Sequence, residues 1–322
     1  MSALEDALAR PALTVDGRDY TVADVAAAAL HVSEWAGVRQ RALAGGAGAP
    51  EEEVRAAAAA FRRARRLLSA EEMEAWLARR GLSAGVWMRW VRADVARRAG
   101  ATGGAAEPDA VTLYAEALCS GALARAGRRL AELLVAPEAD AASAPAADPG
   151  PLAPLGVDLD RARTLLGELP AREAALARLA EQVATPQAVD ERVRARQTDW
   201  LAVGYRALAV AAEPVAREAL LCVRDDGMTL EEVGVLASAP VRARRTLLAD
   251  APPALREHLL SASPGEPIGP LAGDGAVAVL VVDAKEPPAA EDAELARRAR
   301  NELLARALER EVTTRVRWHD RL

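Results

Sequence analysis

Residues 276–284, AVAVLVVDA, limit what this chain can fold into more than any other stretch. A Val-rich run with no polar alternation is the pattern of a central strand buried on both faces. Such a strand needs neighbours on both sides and a layer above and below. Just before it, Asp274-Gly275 suits a two-residue hairpin turn, and PIGPL is held extended because proline restricts its own φ and the residue before it. Ser263-Pro264-Gly265-Glu266 ends the preceding helix as a turn. The remaining sequence is dense in Ala, Leu, Arg and Glu, all helix formers. The expectation is therefore an α+β chain, mainly helical, with a small sheet covered by helices.

At 322 residues and 33.9 kDa there is room for two domains with a core each. With 51% hydrophobic and 27% charged residues the chain is globular. Only 3% is aromatic, six Trp against one Phe, so Leu, Val and Ala carry the packing. A net charge of −6 argues against capture of a nucleic-acid backbone, and the cluster FRRARR is expected to be a solvated helix face. Lys285 is the single lysine, and no phosphate-cradling loop surrounds it. The opening MSALEDALARPALTV has no basic segment followed by an apolar core, and no run approaches the ~18 apolar residues of a membrane span. No membrane association and a cytoplasmic location are the expectations. Cys119 and Cys222 read as separate buried thiols.

Helix signals divide the chain. ALTVDGRDYTV is a short extended piece turning at Asp16-Gly17, followed by a helix through Trp35 that Asp19 or Thr21 caps. A long helix begins at Glu51. Ser69 with Glu72 forms a capping box, Gly81 is a stop, and Ser83 caps the next helix. Trp76, Leu77, Trp87 and Val91 are core candidates. One helix is expected over 109–134, with Leu113, Ala117, Leu123, Leu130 and Leu134 on a stripe. An Ala/Pro linker covers 136–155, and helices from Asp160 break at Pro170 and end near Arg196. LAVGYRALAV has strand length, two helices follow with Thr229 and Glu232 as a second capping box, ARRTLLAD is a short strand, and PPALREHLLSA a helix. The C-terminal helix, 289–315, carries Leu295, Ala299, Leu303, Leu308 and Val312 as a stripe. The resulting domains are 1–135 with 156–199, then 200–288, with 289–322 returning to the first.

The order strand, helix, helix, strand, helix, SPGEPIGP, hairpin and apolar strand ending in KEPP resembles the parvulin-type peptidyl-prolyl isomerase domain. LTVDGRDYTVADV and LLSAEEMEAWLARRGLS look like the helical chaperone domain of SurA-type proteins, in which a C-terminal helix returns to the N-terminal domain. The resemblance implies a four-stranded sheet, a proline pocket and two histidines on the strands. Here those histidine positions hold Ala207 and Val277, so it implies no catalytic residue. Leu255 and Leu260 fall where the family lines its proline pocket, Leu247 and Leu248 lie on the preceding strand, and His258 faces either solvent or the groove; these five are the candidate peptide-binding residues.

Nothing else supplies chemistry. His31, His258 and His319 lie in separate segments without a second ligand at metal-binding spacing, and no nucleophile motif occurs. No metal or cofactor is expected. The expectation is a peptide-binding, chaperone-like protein with a weak or silent isomerase domain, whose client is an unfolded peptide or the precursor in maturation of a ribosomally made peptide. Two alternatives stand beside it: an active prolyl isomerase and a non-catalytic scaffold acting as a homodimer.

Overall fold

A computed structural model describes residues 2–44, 48–100, 107–137, 147–273 and 275–319. The fold is α+β and mainly helical, with a three-stranded and a four-stranded antiparallel sheet. It divides into two compact units, Met1–Glu181 with Ala305–Leu322, and Gln182–Leu304. No helix among the described residues is long and apolar enough to cross a membrane.

The first unit opens with α1 (Ala3–Ala9) and the hairpin β1 (Pro11–Val15) and β2 (Arg18–Thr21). Asp16 and Gly17 both take positive φ, +48° and +83°, as a type I′ turn requires. Helices α2 (Val22–His31), α3 (Glu34–Leu43), α4 (Glu51–Ala64), α5 (Ala70–Arg79), α6 (Ala84–Arg98), α7 (Ala110–Cys119), α8 (Ala122–Val135) and α9 (Leu159–Val183) follow. Thr21 with Asp24, and Ser69 with Glu72, form reciprocal capping boxes, and Ser83 caps α6. Trp76, Leu77, Trp87 and Val91 are buried, as are Leu113, Ala117, Leu123, Leu130 and Leu134.

Several expectations change. The helix drawn through Trp35 is two, broken where Ser33 takes φ +61°. The single helix over 109–134 is also two, because Gly121 at φ +78° turns the chain between α7 and α8. Pro170 does not break its helix. Loss of its N–H costs about 3 kcal/mol or more, and buried Leu165, Leu166, Leu169 and Leu176 hold α9 through it. The expected linker is partly structured: residues 138–146 lie outside the described residues, but Gly150–Leu155 forms a 3-10 turn with Leu152 and Leu155 buried. FRRARR is not simply solvated, since Arg65 lies 3.7 Å over the Phe61 ring and donates to the Cys119 carbonyl.

The second unit comprises α10 (Pro186–Ala195), β3 (Ala202–Val210), α11 (Glu213–Arg224), α12 (Leu230–Leu236), β4 (Val241–Leu247), α13 (Pro253–Ser261), β5 (Pro267–Gly273) and β6 (Ala276–Glu286). Its sheet runs β4-β3-β6-β5, so β6 is interior. One face packs Val203, Tyr205, Leu280 and Val282 against Leu248 and Leu259. The other packs Leu208, Val210, Val279 and Val281 against Ala216, Ala219, Leu230 and Val233. Burying Leu259 completely contributes roughly 1.5–3 kcal/mol. The hairpin turn expected at Asp274-Gly275 has Asp274 outside the described residues; Gly275 takes φ +78°.

Helix α14 (Ala293–Arg315) is shared between the units, which divide at Leu304. Leu295, Ala296 and Ala299 join Val189, Val193 and Trp200 in one cluster, so α10 goes with the sheet and not, as expected, with the N-terminal helices. Arg192, which is buried, and Arg196, which is half-buried, both donate to Glu302 of α14. Strand β7 (Val316–Trp318), beyond the expected C-terminal helix, then pairs antiparallel with β1. Arg315 donates to both Asp16 carboxylate oxygens and to the Val135 carbonyl at the end of α8.

Burial would raise the Glu302 carboxyl, but hydrogen bonds from Arg196 and Arg192 reverse this and hold it below the ordinary carboxylate range. A folded-state depression gives stability that is present above the unfolded pKa, about 4.3, and is lost as pH falls through the folded value. Acid unfolding followed by circular dichroism should therefore show wild type losing stability below about pH 4. Glu302→Gln should lose part of that dependence and be less stable at pH 7.

Candidate functional site

The sheet decides where the expected site residues go. In register, Ala207 lies opposite Leu280 on β6 and Arg242 on β4, while Val277 lies opposite Val210. Ala207 belongs to the face packed by α13, Val277 to the face packed by α11 and α12. Successive strand residues point to opposite faces, so an offset of one residue reverses the side. Ala207 and Val277, the two positions where the resemblance implies histidines, therefore lie on opposite faces of the sheet. The β6 residue on the Ala207 face is Ala278, which packs on the same cluster.

The leucines separate too. Leu248 is 1% exposed and is core. Leu255 is half-buried against the same cluster. Leu247 turns to the other side and packs with Trp200, Val189 and Leu295. Leu260, 45% exposed, lies on α13 off its packed stripe, and its carbonyl takes a hydrogen bond from Lys285. His258 is exposed. Of the five residues expected to line a peptide groove, only Leu255 is at the surface of the α13-side cluster.

With Ala207, Leu271 and Ala278, Leu255 forms a half-buried apolar strip on that face. Gly269 shapes its β5 side. It sits at φ +141°, and a Cβ there would lie 2.9 Å from the Ala278 carbonyl oxygen, so only glycine lets β5 approach β6 so closely. The Gly269–Pro270 peptide is cis. On β3 and β6 the residues on this face are Val203, Tyr205, Ala207, Ala209, Ala276, Ala278, Leu280, Val282 and Lys285. None is a His, Cys or carboxylate. Arg242 and Arg244 of β4 stand exposed at the rim, opposite Ala207 and Tyr205.

A second concavity lies within the helical unit, a cavity of about 550 Å³ bordered by Val86, Trp90, Ala93, Arg97 and Ala115, with Glu116 at its base. Glu116 is 1% exposed. It accepts from Arg41 Nε at 2.7 Å and from Trp90 Nε1 at 2.8 Å, and Arg97 lies at 3.2 Å. Arg97 also donates to Asp94 and to the Arg41 carbonyl. Both Glu116 oxygens are engaged, so this carboxylate is placed to hold three helices together and not to move a proton. Sequence reading passed over these residues. The signal was a lone Glu in the otherwise apolar run LYAEALC, but its partners on α3 and α6 could not be known from spacing.

Burial pushes the Cys119 thiol up to about 12, which leaves it protonated and unreactive. Cys222 is half-buried. The His319 ring faces Thr14, whose hydroxyl donates to Asp19. Among the described residues no three His, Cys, Asp or Glu side chains gather where they could hold a metal ion.

No protein-family model matches the sequence, and no curated protein does. Among solved structures, a SurA-like chaperone from Campylobacter jejuni is similar at 11% identity over 96% of this chain and 98% of its own, with a TM-score of 0.20. A likeness so slight carries neither fold nor function across.

Removing the Glu116 carboxylate leaves two inward guanidinium groups and an indole N–H without their acceptor. Glu116→Ala should lose about 3–5 kcal/mol of unfolding free energy in urea titration, and Glu116→Gln less. A loss below about 1 kcal/mol would show that the network is not what joins α3, α6 and α7.

Proposed function

We propose that this chain is a chaperone-like binder of extended peptides, with an unfolded or precursor peptide lying on the α13 face of the four-stranded sheet, and that it does not catalyse prolyl isomerisation. The observation behind this reading is the strip formed by Ala207, Leu255, Leu271 and Ala278, half-buried and next to a sheet edge. Apolar side chains of a bound segment gain about 25 cal/mol per Å² covered, and an open strand edge supplies main-chain hydrogen bonds.

Isomerisation means lowering a barrier of about 18–20 kcal/mol. The residues that share this strip offer no His, Cys or carboxylate for that work. The parvulin resemblance of 261–288 supports a peptide as ligand, and alanine at 207 speaks against the family's catalysis. In the helical unit both oxygens of Glu116 are already engaged by Arg41, Trp90 and Arg97.

Two measurements test this. In a protease-coupled assay on a short Xaa-Pro peptide the protein should leave the cis-to-trans rate unchanged; acceleration to the level of an active parvulin would overturn the non-catalytic reading. In light scattering, it should slow aggregation of a chemically unfolded client. Leu271→Asp, which puts a charge on the strip, should weaken that effect while melting within a few degrees of wild type; equal protection by the variant would place binding elsewhere.

A further inference from the structure

Strand β4 is an outer strand of its sheet, and beyond its ladder with β3 no main-chain group of 242–245 has a hydrogen-bond partner among the described residues. Open edges of this kind pair readily with another strand. The β4 sequence is VRARRTL, and its arginines divide by face. Arg245 points to the α11 and α12 side and is paired with Glu286 at 2.7 Å. Arg242 and Arg244, opposite Ala207 and Tyr205, point to the α13 face, are exposed, and have no carboxylate partner among the described residues. Arg242 and Arg244 therefore place two positive charges, two residues apart, on one strand face of a chain whose net charge is −6.

We propose that β4 takes an extended acidic peptide as a fifth strand, with carboxylates at alternate positions meeting Arg242 and Arg244. This rests on the peptide-binding reading above and names the class of peptide. The spacing follows from the strand: residues two apart share a face, so a ligand strand beside β4 presents positions i and i+2 to the two guanidinium groups. The side chains between them face the side where Arg245 is already satisfied, and there neutral residues fit best. Self-association does not suit the edge, because β4 paired with its own copy would set arginine against arginine across the ladder.

The test uses the full chain and three labelled peptides of one extended sequence, with Glu, Gln or Lys at alternate positions and Val and Thr between, followed by fluorescence anisotropy. The Glu peptide should bind roughly tenfold more tightly than the Gln peptide at low salt. That gap should close near 1 M salt, where the screening length is about 3 Å. The variant Arg242→Glu with Arg244→Glu, both on the surface and checked by thermal unfolding, should prefer the Lys peptide. Equal binding of the Glu and Gln peptides, or an unchanged preference in the double variant, overturns the acidic-strand assignment and leaves peptide binding standing. Failure of all three peptides to bind, while the protein still protects an unfolded client, also overturns it; failure of both experiments removes the peptide-binding reading itself.

Discussion

The second unit depends on β6 being buried from both sides. Because Val279 and Val281 pack one way and Leu280 and Val282 the other, helices must cover each face, and every residue on the neighbouring strands is assigned a side by its register. That parity separates Ala207 from Val277 and brings Ala207 and Ala278 to one face. It also sends Arg242 and Arg244 to the strip and Arg245 away from it. A shift of one residue would exchange all of these at once.

Much of this architecture was legible because it is written locally. Capping boxes, the Asp16-Gly17 turn and the Val run each declare themselves within a few residues. What was illegible depends on partners distant in sequence. Pro170 reads as a break, and only the buried leucines around it reveal a continuous α9. Val316–Trp318 is too short to read as a strand without β1 beside it. The helix break at Gly121 could have been read from the glycine, whereas the one at Ser33 has no comparable local mark. At the site, the leucines were correctly seen as apolar but their directions were not. Leu247 and Leu248 are adjacent and end up in different clusters.

Arginine does much of the tying in this molecule. Of 41 basic residues one is lysine, and many of the guanidinium groups end on main-chain carbonyls. Arg172 and Arg315 reach the last carbonyls of α8. Arg256 gathers the carbonyls of Leu248, Ala249 and Ala251, fixing the turn before α13. Arg62 does the same for Leu67 and Leu68. A planar fork of donors satisfies several acceptors with one side chain and stays charged when half-buried, and cations at helix C-termini also complement the dipole. Arg242 and Arg244 of β4, both exposed, have no such engagement among the described residues.

The pairing of β1 with β7 sets an order of assembly. Thr14 and His319, in contact across that pair, are 305 residues apart in sequence. At a synthesis rate of about 5–20 residues per second, the first hairpin waits on the order of 15–60 s for the strand that closes its edge. Meanwhile the whole second unit, inserted between the two parts of the first, is translated and can fold. The N-terminal unit is the first begun and the last completed, and until then β1 carries an open edge that the nascent chain must keep from other strands.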